Sequence, residues 1–195
     1  MIFRESVVSE AARGVLAAKR RPVAVGIDGP GGSGKSTFAR DLADYLEVSV
    51  AIVQGDDFYS DMPEEEKAKL SPEGGCESYF DWRRLRTEVL ESVRGDVKDL
   101  RYQRYDWDNA RMGNWIDILM PEVVIVEGVY TLRPQLRDLL DFSVYIRTGE
   151  GTRARRLTKR GENSNEWIER WNAASNIYES KVKPWEDADL IIDGE

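Results

Sequence analysis

A short apolar run, Val23-Ala24-Val25-Gly26-Ile27, leads directly into the stretch GIDGPGGSGKSTFAR, and this junction constrains the chain more than any other feature. Gly29, Gly34, Lys35 and Ser36 satisfy the spacing GxxxxGK[ST], between a predicted strand and a helix predicted over Thr37 to Leu46. Glycines let successive backbone N–H groups turn inward, and a helix N-terminus adds partial positive charge at the same point. Such a cradle fits phosphate oxygens. Gly29, Gly31, Gly32, Ser33, Gly34, Lys35, Ser36 and Thr37 are therefore the expected nucleotide-binding set. Lys35 can reach the β and γ phosphates of ATP, and the Ser36 hydroxyl can ligate a Mg²⁺ ion shared with them. The plainer alternative is a Gly-rich turn that merely precedes a helix.

Further apolar runs recur at Val50 to Val53, Val123 to Val126, Phe142 to Ile146 and Leu190 to Ile192. Continuous apolar runs of this length mark strands buried on both faces of a parallel sheet. Between them, Val8, Ala11, Ala12 and Val15 keep helical spacing, as do Trp82, Leu85, Val89 and Val93, and Trp167, Trp171, Ala174 and Tyr178. The alternation predicts an α/β fold with a parallel sheet flanked by helices. At 195 residues the chain fits one domain, 1–195. Residues 60–80, with Pro63, Glu64 to Glu66 and Gly74-Gly75, read as a mobile insertion carrying at most a short helix.

Charge and residue types narrow the chemistry. A net charge of -8 argues against nucleic acid as a partner. No apolar run reaches membrane-spanning length, and Arg4, Glu5, Glu10 and Arg13 interrupt the N-terminus where a signal peptide needs an apolar stretch. A cytoplasmic protein acting on a small molecule is expected; self-association into a homo-oligomer stays open. The single cysteine, Cys76, forms no intrachain disulfide, and no Cys or His cluster has zinc spacing. Histidine is absent altogether, so a general base must be a carboxylate, lysine, tyrosine or the cysteine.

Three acids stand where strands end. Asp56 and Asp57 follow the run at 50–53, and Glu127 follows the run at 123–126. The C-terminal edges of parallel strands face the ligand crevice. Glu127 can hold Mg²⁺ there, directly or through water, unless it is a strand-end charge in solvent. One aspartate of the pair suffices to take the proton from an acceptor hydroxyl, and the other can cap the turn. Arg153, Arg156 and Arg160 fall on one helical face at i, i+3 and i+7, as a lid over phosphates or as a solvated basic face. Tyr105, Asp106 and Arg111, within YQRYDWDNARMGNW, suit a flat polar substrate, or the aromatics there pack in the core. Asp81 contacts the acceptor or only N-caps the helix starting at Trp82. NKxD and LSGGQ are both missing, which leaves kinases, other small ATPases and nucleotide-gated binding proteins.

Taken in order, the phosphate loop, DDFY, YFDW, YDWD, VIVEG, LDFSVYIRT and ADLIID resemble the uridine kinase, phosphoribulokinase and pantothenate kinase group of P-loop kinases, from about Val23 to Asp193. The resemblance implies five parallel strands flanked by helices, ATP with Mg²⁺, and transfer to a hydroxyl of a small metabolite, a nucleoside or sugar-like acceptor. It implies that Asp56 is the catalytic aspartate, that Glu127 is the metal-associated acid, and that Arg153, Arg156 and Arg160 belong to a lid over residues 149–163. Tyr59 is expected to face the acceptor, and the Phe80-Asp81 pair is similar to a YD pair of nicotinamide riboside kinases. Relative to the uridine and cytidine kinases that it resembles, the chain departs at two positions: Gly75 falls where those kinases have a ribose-binding aspartate, and Ala110 where they have a base-contacting histidine.

Overall fold

The computed structural model describes residues 3–160 and 165–195, with the side chains of Arg160 and Asn165 outside that description. Its five apolar runs form the strands of one parallel sheet. In chain order these are β1 (Val23–Asp28), β2 (Val50–Gln54), β5 (Val123–Glu127), β6 (Phe142–Arg147) and β7 (Leu190–Asp193), in the spatial order β2-β5-β1-β6-β7. The α/β expectation holds, strand for strand. Ile27 and Gln54 both pair with Glu127, so β1, β2 and β5 end level with one another. Their acids consequently share one edge.

Alternate residues of β1 divide the core. Val23, Val25 and Ile27 face α1 (Glu5–Ala17) and α2 (Lys35–Tyr45), packing with Val15, Phe38 and Leu42. Ala24 joins Val124, Val126 and Leu136 on the opposite face. That face is covered by a helical run made of α5 (Trp82–Arg84), a π turn over Leu85–Leu90, and α6 (Glu91–Arg94). Leu85, Val89 and Val93 are buried there, as their spacing predicts. Asp141 locks this layer to the sheet. Its carboxylate accepts the Ala24 N–H at 2.8 Å and pairs with Arg94 at 2.6 Å.

Two segments differ from their expectation. Residues 60–80 carry two helices, α3 (Glu64–Lys67) and α4 (Pro72–Ser78), where at most one was expected. Ser71 accepts the Gly74 N–H and Pro72 occupies the first turn, a complete helix start within a Gly-rich sequence. The aromatic stretch at 102–115 belongs to an antiparallel hairpin, β3 (Asp99–Asp106) and β4 (Arg111–Leu119). Leu100 and Tyr102 point into the core, and a bulge between Gln103 and Tyr105 re-aims the rest of β3 so that Tyr105 is buried too. A short helix, α7 (Pro134–Arg137), lies between β5 and β6, and the long helices α8 (Glu150–Arg160) and α9 (Asn165–Val182) lie between β6 and β7. Among the described residues no helix is long and apolar enough to cross a membrane.

Ile125 is fully buried in β5, between β1 and β2. Replacing it with alanine is expected to lower stability by about 2–5 kcal/mol, measured as a shifted urea midpoint with an unchanged slope.

Candidate active site

The phosphate loop is built from backbone conformations that side chains resist. Gly29 has φ +151°, and a Cβ there would lie 2.5 Å from the Ile146 carbonyl oxygen. Gly34, at φ +103°, is the N-cap of α2 and has no side chain with which to cap it. The first-turn amides of α2 thus keep their capacity for an outside anion. Lys35 is buried and its ammonium donates to the Pro30 carbonyl at 3.1 Å, folding the side chain back over the loop. Of the expected set, Gly31, Gly32, Gly34, Lys35, Ser36 and Thr37 line a cavity of about 210 Å³. Gly29 and Ser33 shape the loop from behind, and the buried Ser33 hydroxyl has no hydrogen-bond partner among the described residues.

Asp56 and Glu127 line the same cavity. A 3₁₀ turn, Gly55–Phe58, follows β2 and delivers Asp56 there. Glu127 is buried, and burial raises its pKa above the ordinary carboxylate value, opposed by the nearby Lys35 ammonium and a hydrogen bond with the Ser36 hydroxyl. The neighbouring Asp56 charge adds to the rise. Ser36 and Glu127, the two expected Mg²⁺ ligands, therefore line the same cavity side by side. Among the described residues no cluster of three or more His, Cys, Asp or Glu could hold a metal by itself. A hydroxyl and one or two carboxylates beside an anion cradle fit Mg²⁺, which takes few protein ligands and completes its shell with phosphate oxygens and water.

The aspartate pair divides by environment. Asp57 is half-buried away from the cavity and accepts a hydrogen bond from the Tyr102 hydroxyl at 3.1 Å. It ties the 3₁₀ turn to β3, a role the sequence left unassigned. Burial raises its pKa, and the Tyr102 bond pulls the other way.

The far half of the cavity is walled by Phe80, Trp107, Trp171, Asn172 and Ser175. None of the expected substrate-contacting residues is in that wall. Tyr59 and Tyr105 lie one layer behind it, with Tyr59 stacked on Trp107 at 4.5 Å. Asp81 accepts the Arg84 N–H and caps α5. Asp106 holds the hairpin turn, accepting from Asp108, from the Asn109 N–H and from the Asn109 side chain. Arg111 pairs with Asp106 across that turn and is exposed. The reason is common to the two aspartates: each satisfies a local backbone need that the bare sequence leaves open.

On α8, Arg156 donates to the carbonyls of Gly32 at 3.1 Å and Gly194 at 2.8 Å. Arg153 lines a separate hollow with Pro30, Tyr145 and Trp185. Neither side chain lines the cavity, where α8 contributes Leu157 instead. The side chain of Arg160 and residues 161–163 of the expected lid lie outside the described residues.

Asp28 is the site residue that sequence reasoning missed. Buried at the end of β1, it accepts from Gly29 N at 2.6 Å, Tyr130 N at 3.2 Å, Leu132 N at 2.8 Å and the Tyr178 hydroxyl at 2.6 Å. Its place directly before Gly29 was the available signal.

The family model described as AAA domain matches residues 25–180. A uridine kinase of Ligilactobacillus salivarius is 30% identical over 187 residues, which cover 89% of this chain and 86% of that protein. A uridine kinase of Halobacterium salinarum is 28% identical over 186 residues, covering 87% and 79%. A solved structure described as a possible uridine kinase from Bacillus stearothermophilus matches with a TM-score of 0.76 at 21% identity, over 96% of this chain and 98% of that one. This last likeness bears on fold.

Replacing Tyr102 with phenylalanine is expected to cost about 1–2 kcal/mol at neutral pH, because a half-buried carboxylate loses its donor. Asp57 already titrates above its ordinary value and moves further up in the variant. A raised native pKa means that the ionised form is the penalised one. The loss is thus full above that pKa and shrinks as pH falls through it. Urea denaturation across acidic pH measures the window.

Proposed function

The chain belongs to the AAA domain family and to the uridine kinase-like group of P-loop kinases, and from that premise we propose transfer of the terminal phosphoryl group of ATP to a hydroxyl of a nucleoside or sugar-like metabolite in the cytoplasm. One observation carries the reading: a buried lysine, a serine and two acids from neighbouring strands surround a single cavity at the mouth of a phosphate loop. The loop amides and Lys35 bind the phosphates, and Ser36 and Glu127 hold Mg²⁺. Bound Mg²⁺ supplies charge neutralisation at the phosphate oxygens. Asp56 orients the acceptor hydroxyl and takes its proton, a task that falls to a carboxylate in a chain without histidine.

Residues 149–163 act as the lid, with Arg153, Arg156 and Arg160 as its charges. Arg156 already fastens the lid helix to the phosphate loop through Gly32. On the acceptor side, Gly75 supports the departure from uridine and cytidine kinases. A Cβ at this position would meet the Tyr79 ring at 2.5 Å, so no side chain extends from it toward the acceptor. Ala110 sits at φ +48° in the exposed hairpin turn.

Asp56→Asn is expected to reduce phosphoryl transfer by at least about a hundredfold, within the range of general-base contributions, with ATP affinity little changed. An ADP-release screen over nucleosides, nicotinamide riboside, pantothenate, ribulose 5-phosphate and simple sugars, with products identified by mass, supplies the acceptor. Undiminished turnover in the variant removes Asp56 from its role. ATP binding without any phosphorylated product points instead to a nucleotide-gated binding protein or a slow ATPase.

A further inference from the structure

Lys67 is a lysine whose side chain is only 1% exposed, in the stretch 60–80 that the sequence predicts to be a mobile insertion. Burying an ammonium is costly unless its charge is met. Here it donates at 2.9 Å to Glu64 Oε1, the same oxygen that receives the Tyr59 hydroxyl at 3.1 Å. Its nitrogen also lies 3.7 Å from the centroid of the Tyr59 ring and 5.5 Å from that of Tyr105. Both rings contact Trp107: Tyr59 stacks on it at 4.5 Å, and Tyr105 meets it edge-on at 5.2 Å. Trp107 in turn walls the cavity from the tip of the hairpin while remaining 47% exposed. Nothing in the hairpin turn alone would fix such an exposed indole in one orientation.

We infer that Lys67 is a positioning residue for the acceptor half of the cavity: its ammonium holds the Tyr59 and Tyr105 rings as a platform, and the platform fixes Trp107. The name of that half rests on the kinase reading, whereas the platform does not. A cation over a ring face is held electrostatically, and a desolvated one more strongly than one in water. Lys67 does this from α3, so residues 60–80 act on the site without lining it through α3. The groups facing the ammonium are Glu64 and Asp61 from its own stretch, Tyr59 from the segment after β2, and Tyr105 from β3. Burial lowers the lysine's pKa, against the pull of Glu64, while burial and Glu64 raise those of both tyrosines.

The test follows Trp107 in the full-length chain without any acceptor. Acrylamide quenching is measured in the wild type and in Lys67→Met and Lys67→Arg, each against the same protein carrying Trp107→Phe, so that the difference isolates this indole. Lys67→Met is expected to raise the Trp107 quenching constant at least about twofold, Lys67→Arg to restore most of the protection, and Mg·ATP affinity to stay within twofold of the wild type. An unchanged quenching constant in a folded Lys67→Met protein overturns the inference, as does an equal loss in the arginine variant. Should Lys67→Met not fold, the wild type decides. Its Trp107 quenching is expected to rise with pH through a transition below the ordinary lysine range, one that Lys67→Arg lacks, and a flat profile is the contrary result. Because no acceptor enters the measurement, a failed acceptor screen counts against the kinase reading alone.

Discussion

The carboxylate of Asp28 receives four donors on two oxygens at the point where β1 becomes the phosphate loop. A charge buried this deeply is tolerable only when its acceptor capacity is filled, and here each donor comes from a segment that the site needs. Gly29 opens the loop, Tyr130 and Leu132 lie on the return from β5, and Tyr178 comes from α9, the helix that supplies Trp171 and Ser175 to the cavity wall. Burial raises the Asp28 pKa, and its hydrogen bonds and Lys35 draw it down. The four donors and the Lys35 ammonium thus favour the ionised carboxylate against the cost of its burial. Tyr130 adopts φ +68° to present its N–H, a conformation that bulky residues avoid and that this bond helps to sustain.

Level strand ends then do the rest of the assembly. Because Ile27 and Gln54 share Glu127 as their partner, the acid after β2 and the acid ending β5 emerge on the same side of the loop. A one-residue slip in either pairing would exchange the two faces of a strand and carry its acid away from Lys35. The site is therefore a consequence of register, and register follows from the buried faces of Val23, Val25, Ile27, Val123 and Ile125.

Much of this was legible in the chain itself. Strands buried on both faces read as continuous apolar runs, and the glycine spacing locates the loop without reference to anything distant. Asp56 and Glu127 were equally readable, since a carboxylate ending a parallel strand has few other places to point. The far wall of the cavity was not. Whether Tyr59 or Trp107 meets the cavity depends on how a hairpin folds over two short helices, and both residues look alike in composition. Asp81 and Asp106 were misplaced for a related reason: an acid that caps a helix or a turn has the same local signature as one that binds a ligand. Lys67 illustrates the limit most clearly, because a lysine that follows three glutamates reads as surface, and its burial is made tolerable by Glu64 together with the rings of Tyr59 and Tyr105.

Arg156 joins Gly32 in the phosphate loop to Gly194, just beyond the last strand. Segments far apart in the chain thus brace one another across the sheet. During synthesis, β1 and the loop leave the ribosome long before β7 exists to provide that carbonyl. The brace from α8 stays anchored on one side only until the last strand has docked beside β6. Closure of that brace is in this sense a late event in the protein's biogenesis.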